Sequence, residues 1–511
     1  MMSDVHGEQE FHRNAPATSH TPRVPLKTLT LLFALTLLLN WADFQDFRPN
    51  MDTQTYGILA RNILTSGDWT HLHYTTQAYA QYYQHPPLGI WLLALVFKLT
   101  GATEVGLKVS STLFMLGTVG LTAAFAVFAT TLRPRMKKEA SSTAASALAA
   151  GLILLTSVRY LKPASGYLLD APLTFFFTAS ALAFSLACAS PKAIRTRLLA
   201  LASGVLFVLA FLSKGLPALV LPVGILLLSA HLRLLKSHFA PFLLGSALPL
   251  GGLALHPEVR TFAEQYWFQS VSSRLGGPLP LEAHLAPLLQ LLRTWWHWLP
   301  LGLWSVWKTL RAFRAQPRNT SSTLSAFPLL LAAGILGGFA LNGHFLEHYM
   351  MPFYPLAAVL LSSTLSPHLA PFESGLRRTV ALILAALTLA VALLPLDFQG
   401  QGHREPLWLL LQDVKNHCPA RRGADGHLVF APGTIGRWEG LALGAWVTGR
   451  DPWVIQEGEA FPALDAAILI RNIQSPAPTQ WRGRELAQFA PYIAEVSLTA
   501  PPCGVSARGS Y

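Results

Sequence analysis

Long apolar runs with few or no charges constrain this chain more than any other feature. They lie at about 26–44, 105–130, 144–157, 171–189, 198–213, 215–230, 239–255, 291–307, 326–341, 349–364 and 379–396. The ~30 Å hydrocarbon core of a bilayer takes about 20 such residues as helix, and inside it each backbone N–H and C=O must find a partner within the protein. The runs therefore predict membrane-spanning helices. Several fall short of that length, so their ends are expected to extend into flanking polar residues. Only 13% of the 511 residues are charged, against about a quarter in a water-soluble chain.

The charges that remain set the topology. The formal net charge is +12, but the cations sit in short loops between apolar runs rather than on one basic surface. That pattern belongs to a membrane protein with its positive loops inside, and it argues against a nucleic-acid partner. Residues 88–99 are apolar but short. If they do not cross, Arg133 to Lys138, then Lys192, Arg195 and Arg197, then Arg233 and Lys236, then Lys308, Arg311, Arg314 and Arg318, then Arg377 and Arg378 all share the cytoplasmic side with the N-terminus. If they do cross, the later clusters switch sides. Eleven spans with the N-terminus inside and the C-terminus outside are therefore expected. Residues 1–25 read as a cytoplasmic tail and 26–44 as a retained first helix, since no small-residue cleavage site follows it.

From about residue 397 the texture changes: Gly, Pro and charges return. His427–Ala431 and Ala466–Arg471 read as short buried strands, and Trp438–Val447 as a helix or a strand. The expected fold is a polytopic α-helical membrane protein of about 11–13 transmembrane helices, residues 26–396, with a C-terminal soluble α/β domain, residues 397–511, on the outer side. Cys188 lies in an apolar run and reads as packing. A Cys418–Cys503 disulfide is open to an outer domain.

On this topology the outer face carries a large first loop, 45–104, and the segments 158–170, 256–290 and 342–348. The first loop holds Asn50-Met-Asp52-Thr-Gln-Thr-Tyr56, with Ala60-Arg61 and Gly67-Asp68-Trp69 following. Residues 53–64 fit an amphipathic helix with Tyr56, Leu59, Ala60 and Ile63 on one face and Gly67 as its stop. Asp52 then reads as an N-cap or first-turn acid, a general base or a cation ligand. Farther on come Tyr83, Gln84, His85 and a double proline that fixes an extended entry to the apolar segment. His85 is open to a metal, a phosphate or an interfacial role. Arg159, Lys162 and Asp170 meet next to helix starts. Lys214 stands between two apolar runs with no charge near it in sequence, where a lysine is costly unless it snorkels or meets an anion. Arg159, Lys162 and Lys214 together suit a phosphate or diphosphate. No Gly-rich loop after a predicted strand offers a nucleotide site, so a lipid-linked phosphate ester is the substrate class expected.

In their order these pieces resemble the membrane-embedded glycosyltransferases that use polyprenyl-phosphate sugars, which include the protein O-mannosyltransferases and the bacterial transferase that adds aminoarabinose to lipid A. The pieces are Asp52-Thr-Gln-Thr-Tyr56, Tyr83-Gln84-His85-Pro86-Pro87-Leu88-Gly89, Arg159 to Thr174, Ser213-Lys214-Gly215-Leu-Pro217 and His348-Tyr349-Met-Met-Pro352-Phe-Tyr-Pro355. The resemblance covers residues 26–364. It implies a fold of the glycosyltransferase C type, a catalytic first periplasmic loop, Asp52 as the catalytic carboxylate, and Tyr56, Tyr83, Gln84, His85, Arg159, Lys162, Asp170, Lys214, His348 and Tyr349 around the substrates. It also implies a bacterial inner membrane, a polyprenyl-phosphate sugar as donor, and an envelope lipid, glycan or protein as acceptor. Gln84-His85 stands where the aminoarabinose group has Glu-Lys, so no cofactor is assigned. A divalent metal, with Asp52 and His85 as candidate ligands, is left open. The competing class is a polytopic transporter or lipid flippase, which calls for ionisable residues near the midplane in paired halves; here the notable charges gather at the outer boundary.

Overall fold

The computed structural model describes residues 23–41, 49–75, 80–132, 143–272, 279–317, 319–342, 345–380, 382–383, 406–418, 427–431, 434–435, 437–455, 467–472, 483–489 and 492–497. In chain order the helices are α1 (Leu26–Trp41), α2 (Met51–Ser66), α3 (Leu88–Thr100), α4 (Glu104–Thr131), α5 (Thr143–Leu155), α6 (Val158–Ser165), α7 (Asp170–Ala189), α8 (Ala193–Lys214), α9 (Val220–His231), α10 (Ala240–Ala254), α11 (Pro257–Tyr266), α12 (Leu281–Thr294), α13 (Leu299–Ala315), α14 (Thr320–Asn342) and α15 (Phe353–Leu369). The C-terminal part adds α16 (Pro406–His417) and α17 (Arg437–Thr448), with strands β1 (His427–Phe430), β2 (Pro452–Val454), β3 (Ala467–Asn472), β4 (Gly483–Phe489) and β5 (Tyr492–Ser497).

The contacts divide the chain into two units that do not follow chain order. One takes its described residues from 1–44, 83–92 and 108–396, the other from 45–82, 93–107 and 397–511. In the first unit the hairpin α7–α8 is central, and α8 also packs on α10. A Cβ on Gly204 would meet the Phe242 carbonyl and the Ser246 nitrogen, and one on Gly245 the Leu201 carbonyl, so glycine is what lets these two backbones touch. Helix α15 packs against α5 and α14. The apolar interior runs through Leu32, Phe177, Phe184, Phe327 and Tyr354.

Among the described residues four helices, α4, α7, α8 and α14, are long and apolar enough to cross a bilayer by length and composition. Helices α1, α3, α5 and Leu216–His231 are shorter apolar helices. Residues Leu235–Ala254 and Pro257–Ser272 are bent by 105° across a short break. The span expected at 291–307 is not one helix: α12 ends at Thr294, a 3-10 turn covers Trp296–Trp298, and α13 starts at Leu299 with Pro300 in its first turn. The break is held by Trp295, whose indole N–H donates to Ser157 Oγ at 2.8 Å. Segment 256–290, expected as a loop, carries α11 and the start of α12. The short apolar segment at 88–99 is the 13-residue α3, about 20 Å long at 1.5 Å per residue; length alone does not separate it from α5. Most of the run expected at 379–396, the basic cluster Arg133–Lys138 and Arg318 lie outside the described residues.

The second unit holds a five-stranded sheet of order β2-β1-β3-β5-β4. Strands β1, β2 and β3 are parallel, while β5 pairs antiparallel with both β3 and β4. Leu428, Val429 and Phe430, like Ile468, Leu469 and Ile470, are fully buried on successive positions, as central parallel strands covered on both faces require. Residues 438–447, left open as helix or strand, are helical. Gly440 and Gly444 bring α17 onto β1 and β2, since a Cβ there would strike Val454, Phe430 or Leu428. Cys418 is disulfide-bonded and Cys188 is free and buried; Cys503 lies outside the described residues.

Candidate functional site

The geometry of the first unit starts from the α7–α8 hairpin. Two antiparallel helices of about twenty residues bring the first residue of one beside the last of the other, so Asp170 at the start of α7 meets Lys214 at the end of α8. They form an ion pair with 1% and 4% of their side chains exposed. Each charge sits at the helix end whose dipole favours it, the carboxylate at an N-terminus and the ammonium at a C-terminus. Gly215 makes the turn possible: it has φ +92° and its N–H closes back on the Phe211 carbonyl, a conformation glycine adopts at no steric cost. Of the two ways open to Lys214, snorkelling or meeting an anion, the structure shows an anion supplied by the protein itself. Its partner is 44 residues away in sequence and adjacent in space.

Two further segments gather beside the pair. The Lys214 ammonium lies over the Tyr349 ring, 4.4 Å from its centre. His348 stands edge-on to that ring and places Nε2 3.8 Å from Asp170 Oδ2. Arg159 on α6 pairs with Glu347, both partly exposed, so this outer pair adds at most about 1 kcal/mol. Asp170 Oδ1 is buried and has no hydrogen-bond partner among the described residues, which is costly unless a ligand group or water supplies a donor.

The His-Pro-Pro-Leu-Gly stretch lies against the same helix ends. A Cβ on Gly89 would press on Leu169 and the Ser213 carbonyl, and one on Gly215 would come within 3.6 Å of Pro86. Tyr167, held at φ +38°, donates its hydroxyl to the Gly89 carbonyl at 2.5 Å. Ser270 Oγ donates to the Gln84 carbonyl, and Tyr83 meets Phe262 edge-on at 5.6 Å. Lys162 belongs to α6; its side chain lies outside the described residues.

The second unit places Asp52 and Tyr56 on α2. Asn50, not Asp52, is the N-cap: its Oδ1 accepts from Thr53 N at 2.9 Å, and Asp52 is the acid of the first turn. Asp52 is part-exposed, while Tyr56, Leu59, Ala60 and Ile63 are buried. Gly67 ends the helix at φ +77°. Burial pushes the Tyr74 phenol up to about 12, with the Asp52 charge adding to the rise against a contact with Thr55. Asp68 is engaged locally: backbone N–H groups of His71 and Thr70 donate to its Oδ1 and hold its carboxyl well below the ordinary range.

Trp446 on α17 organises this unit. Gly57 lies against its ring, Phe97 sits 6.3 Å from it, and its indole N–H donates to Glu104 Oε1 at 3.2 Å. Arg61 donates to the Ala445 and Trp446 carbonyls at the end of α17, and burial pulls its guanidinium down to about 10. Arg61 thus fastens α2 to the end of α17.

Among the described residues no three His, Cys, Asp or Glu side chains come together as metal ligands. The two metal candidates, Asp52 and His85, belong to different units. Sequence reasoning passed over Glu347 as a partner, and Ser270 and Phe262 as supports of the proline segment. The aromatic spacing Phe262, Tyr266, Trp267 was the available signal for the last two.

The family model described as dolichyl-phosphate-mannose-protein mannosyltransferase matches residues 84–254, which takes in the proline segment, Arg159, Asp170 and Lys214. Undecaprenyl phosphate-alpha-4-amino-4-deoxy-L-arabinose arabinosyl transferase 2 of Pseudomonas fluorescens is 26% identical over 461 residues, 86% of this chain and 72% of that one. The chain spans 62% to 72% of the length of the curated relatives it matches. In structure it is similar to ArnT from Cupriavidus metallidurans bound to undecaprenyl phosphate, with TM-score 0.64 and 16% identity over 93% of this chain and 99% of that one. It is also similar to the Archaeoglobus fulgidus oligosaccharyltransferase, with TM-score 0.53 and 14% identity over 87% and 68% of the two chains. These likenesses establish the fold expected above, a helical membrane protein of the glycosyltransferase C type with a small mixed sheet near its C-terminus.

Proposed function

We propose that this chain, a multi-pass membrane relative of the glycosyltransferases that draw on polyprenyl-phosphate sugars, moves a sugar from such a carrier to a lipid, glycan or protein acceptor. The reaction takes place at the outer face of a bacterial inner membrane, with the N-terminus in the cytoplasm and the C-terminal part in the periplasm. One observation carries the reading. Asp170, Lys214, His348 and Tyr349 are gathered from three distant stretches onto helix ends, inside a fold similar to that of a protein solved with undecaprenyl phosphate.

The chemistry follows from charge. Asp52 takes the proton from the acceptor hydroxyl; the acceptor oxygen attacks the anomeric carbon; the bond from that carbon to the phosphate oxygen breaks, its electron pair leaves with polyprenyl phosphate, and the anomeric centre inverts. The phosphate gains one negative charge as it leaves. Lys214 and Arg159 are the cations that meet it, each held in place by its own carboxylate, Asp170 or Glu347. A partnered cation is weaker toward a second anion but pre-positioned, so no water shell is rearranged when the charge appears. Asp170 Oδ1 is the acceptor for a hydroxyl of the donor sugar. Tyr83, Gln84, His85, Lys162 and Tyr349 are assigned to the donor and Tyr56 to the support of Asp52, while residues 397–511 brace the loop that carries Asp52.

Mass spectrometry of envelope lipids, glycans and glycoproteins tests this, comparing wild-type cells with a deletion strain and an Asp52→Asn strain. A product mass lost in both strains supports the transferase and identifies the acceptor. A product lost on deletion and kept by Asp52→Asn would overturn the mechanism and leave transport as the reading.

A further inference from the structure

The first unit contains a cavity of about 820 Å³ that the transfer reaction leaves unused. It lies where α4 and α13 end, α14 begins and α15 ends. Tyr349 stands just before the start of α15, and that helix of 17 residues is about 25 Å long at 1.5 Å per residue. The cavity and the Asp170–Lys214 pair therefore sit at opposite ends of it. On the topology proposed above, this end belongs to the cytoplasmic leaflet.

The lining is rich in acceptors. Thr131, Ser322, Ser325 and Ser363 each donate their hydroxyl to a backbone carbonyl. A hydroxyl has one proton and two lone pairs, so each oxygen still accepts. Pro328 in α14 and Pro367 in α15 also line the cavity. A proline has no N–H for the carbonyl four residues earlier, here those of Leu324 and Ser363. At the start of α14, Asn319 Oδ1 takes the N–H groups of Ser321 and Ser322, at 2.9 and 3.4 Å, so that helix end is capped from within. Helices α4 and α13 bring the negative ends of their dipoles. No carboxylate is among the described residues that line the space.

The bland account is a gap among small side chains. A gap at membrane level fills with lipid or water, and this lining favours a group that brings N–H donors to neutral oxygens. The headgroup level sets the rest of the ligand. Lys308 lies over the Trp304 ring at 4.7 Å and Arg311 over the Trp307 ring at 5.4 Å, with both indoles exposed; indoles and basic residues of this kind mark the depth at which phospholipids carry their phosphate.

We propose that this cavity binds one phospholipid of that leaflet whose zwitterionic head carries a primary ammonium beside its phosphate. The three N–H groups of the ammonium bond to the hydroxyl and carbonyl oxygens, and the phosphate stays at the mouth beside the basic turns of α13. The site does not rest on the transferase reading.

The test titrates the full chain, purified in detergent micelles, with phosphatidylethanolamine, phosphatidylcholine or phosphatidylglycerol and counts bound lipid by native mass spectrometry. Ala312→Phe supplies the block: Ala312 lines the cavity and is exposed, so a ring there fills the space without entering a packed core. Ala315→Phe repeats the block from a second exposed lining position. Wild type is expected to saturate with one more phosphatidylethanolamine than either variant. Phosphatidylcholine, with the same phosphate and no N–H, is expected to fill that extra site more weakly, on the order of tenfold. Equal uptake of phosphatidylethanolamine by all three proteins overturns the site. Phosphatidylcholine filling it equally well would mean that the chains alone are held, and phosphatidylglycerol doing so would mean that the phosphate charge is what is read; either result overturns the ammonium.

Discussion

Replacing Lys214 by Met removes one half of the buried ion pair at nearly constant volume, and the consequence can be worked from the surroundings. Asp170 is left 1% exposed with one oxygen already lacking a hydrogen-bond partner among the described residues. Breaking a buried pair from one side costs about 3–5 kcal/mol, because the remaining charge has no compensation. Two features move the estimate toward the lower end. The N-terminus of α7 stabilises a carboxylate by about 0.3–1 kcal/mol, and the His348 ring nitrogen stands 3.8 Å away. A loss of about 3 kcal/mol is expected for Lys214→Met. Asp170→Leu should cost less, since the lysine left behind keeps the Tyr349 face and a helix C-terminus. The double variant Lys214→Met/Asp170→Leu should return to within about 1 kcal/mol of wild type, as apolar replacements of whole buried pairs do.

Denaturant unfolding in mixed micelles, followed by helical circular dichroism, gives the cycle. The reasoning fails if Lys214→Met costs less than about 1 kcal/mol, or if the double variant costs the sum of the two singles. Turnover separates structure from chemistry: the double variant should be folded and inactive. A folded double variant that still transfers sugar would remove the pair from the reaction.

Three other outcomes are expected. Asp52→Asn keeps the first turn and the Asn50 cap, so the fold should hold while turnover falls by about 10²–10⁴; turnover within tenfold of wild type would remove Asp52 as the base. Gly57→Ala puts a Cβ 2.5 Å from a Trp446 ring atom, and the ring is fixed by Glu104 and Phe97; a loss of about 1–3 kcal/mol in thermal unfolding is expected, and an unchanged midpoint would mean that α17 can withdraw freely. Tyr74 is pushed up to about 12 from an ordinary 10. Its contribution is complete below pH ~10 and is lost as pH rises toward ~12, by about 2–3 kcal/mol. The difference between wild type and Tyr74→Phe over that window isolates the phenol from Arg61, which titrates nearby, and a flat difference would contradict the burial.

The apolar runs were enough to mark α4, α7, α8 and α14, because composition alone decides whether a segment this long can lie in hydrocarbon. They were not enough at 291–307. Hydropathy sees Trp295-Trp296-His297-Trp298 as part of one run, whereas the Trp295 indole needs Ser157 and the backbone breaks to deliver it. A tertiary hydrogen bond is invisible to a sliding window. The α2 helix and its Gly67 stop were legible from local rules; those rules leave Asp52 open as an N-cap or a first-turn acid, and the Thr53 N–H decides for the second by bonding to Asn50, two residues earlier.

The same limit explains the site. Asp170 and Lys214 each stood out as a charge next to apolar sequence, yet read singly they suggested snorkelling or a phosphate. Their pairing follows from a property neither residue carries: α7 and α8 are antiparallel and nearly equal in length, so the start of one must meet the end of the other. Any ionisable residue at position one of a membrane hairpin should therefore be weighed against the last residue of the returning helix before it is assigned to a ligand. Here that weighing changes the chemistry. A lysine already paired with a carboxylate does not act as a fixed anion trap, which would hold polyprenyl phosphate after transfer. On the transfer mechanism proposed above it would stabilise the leaving charge as it forms and, with Asp170 at hand, give it up again, which turnover requires.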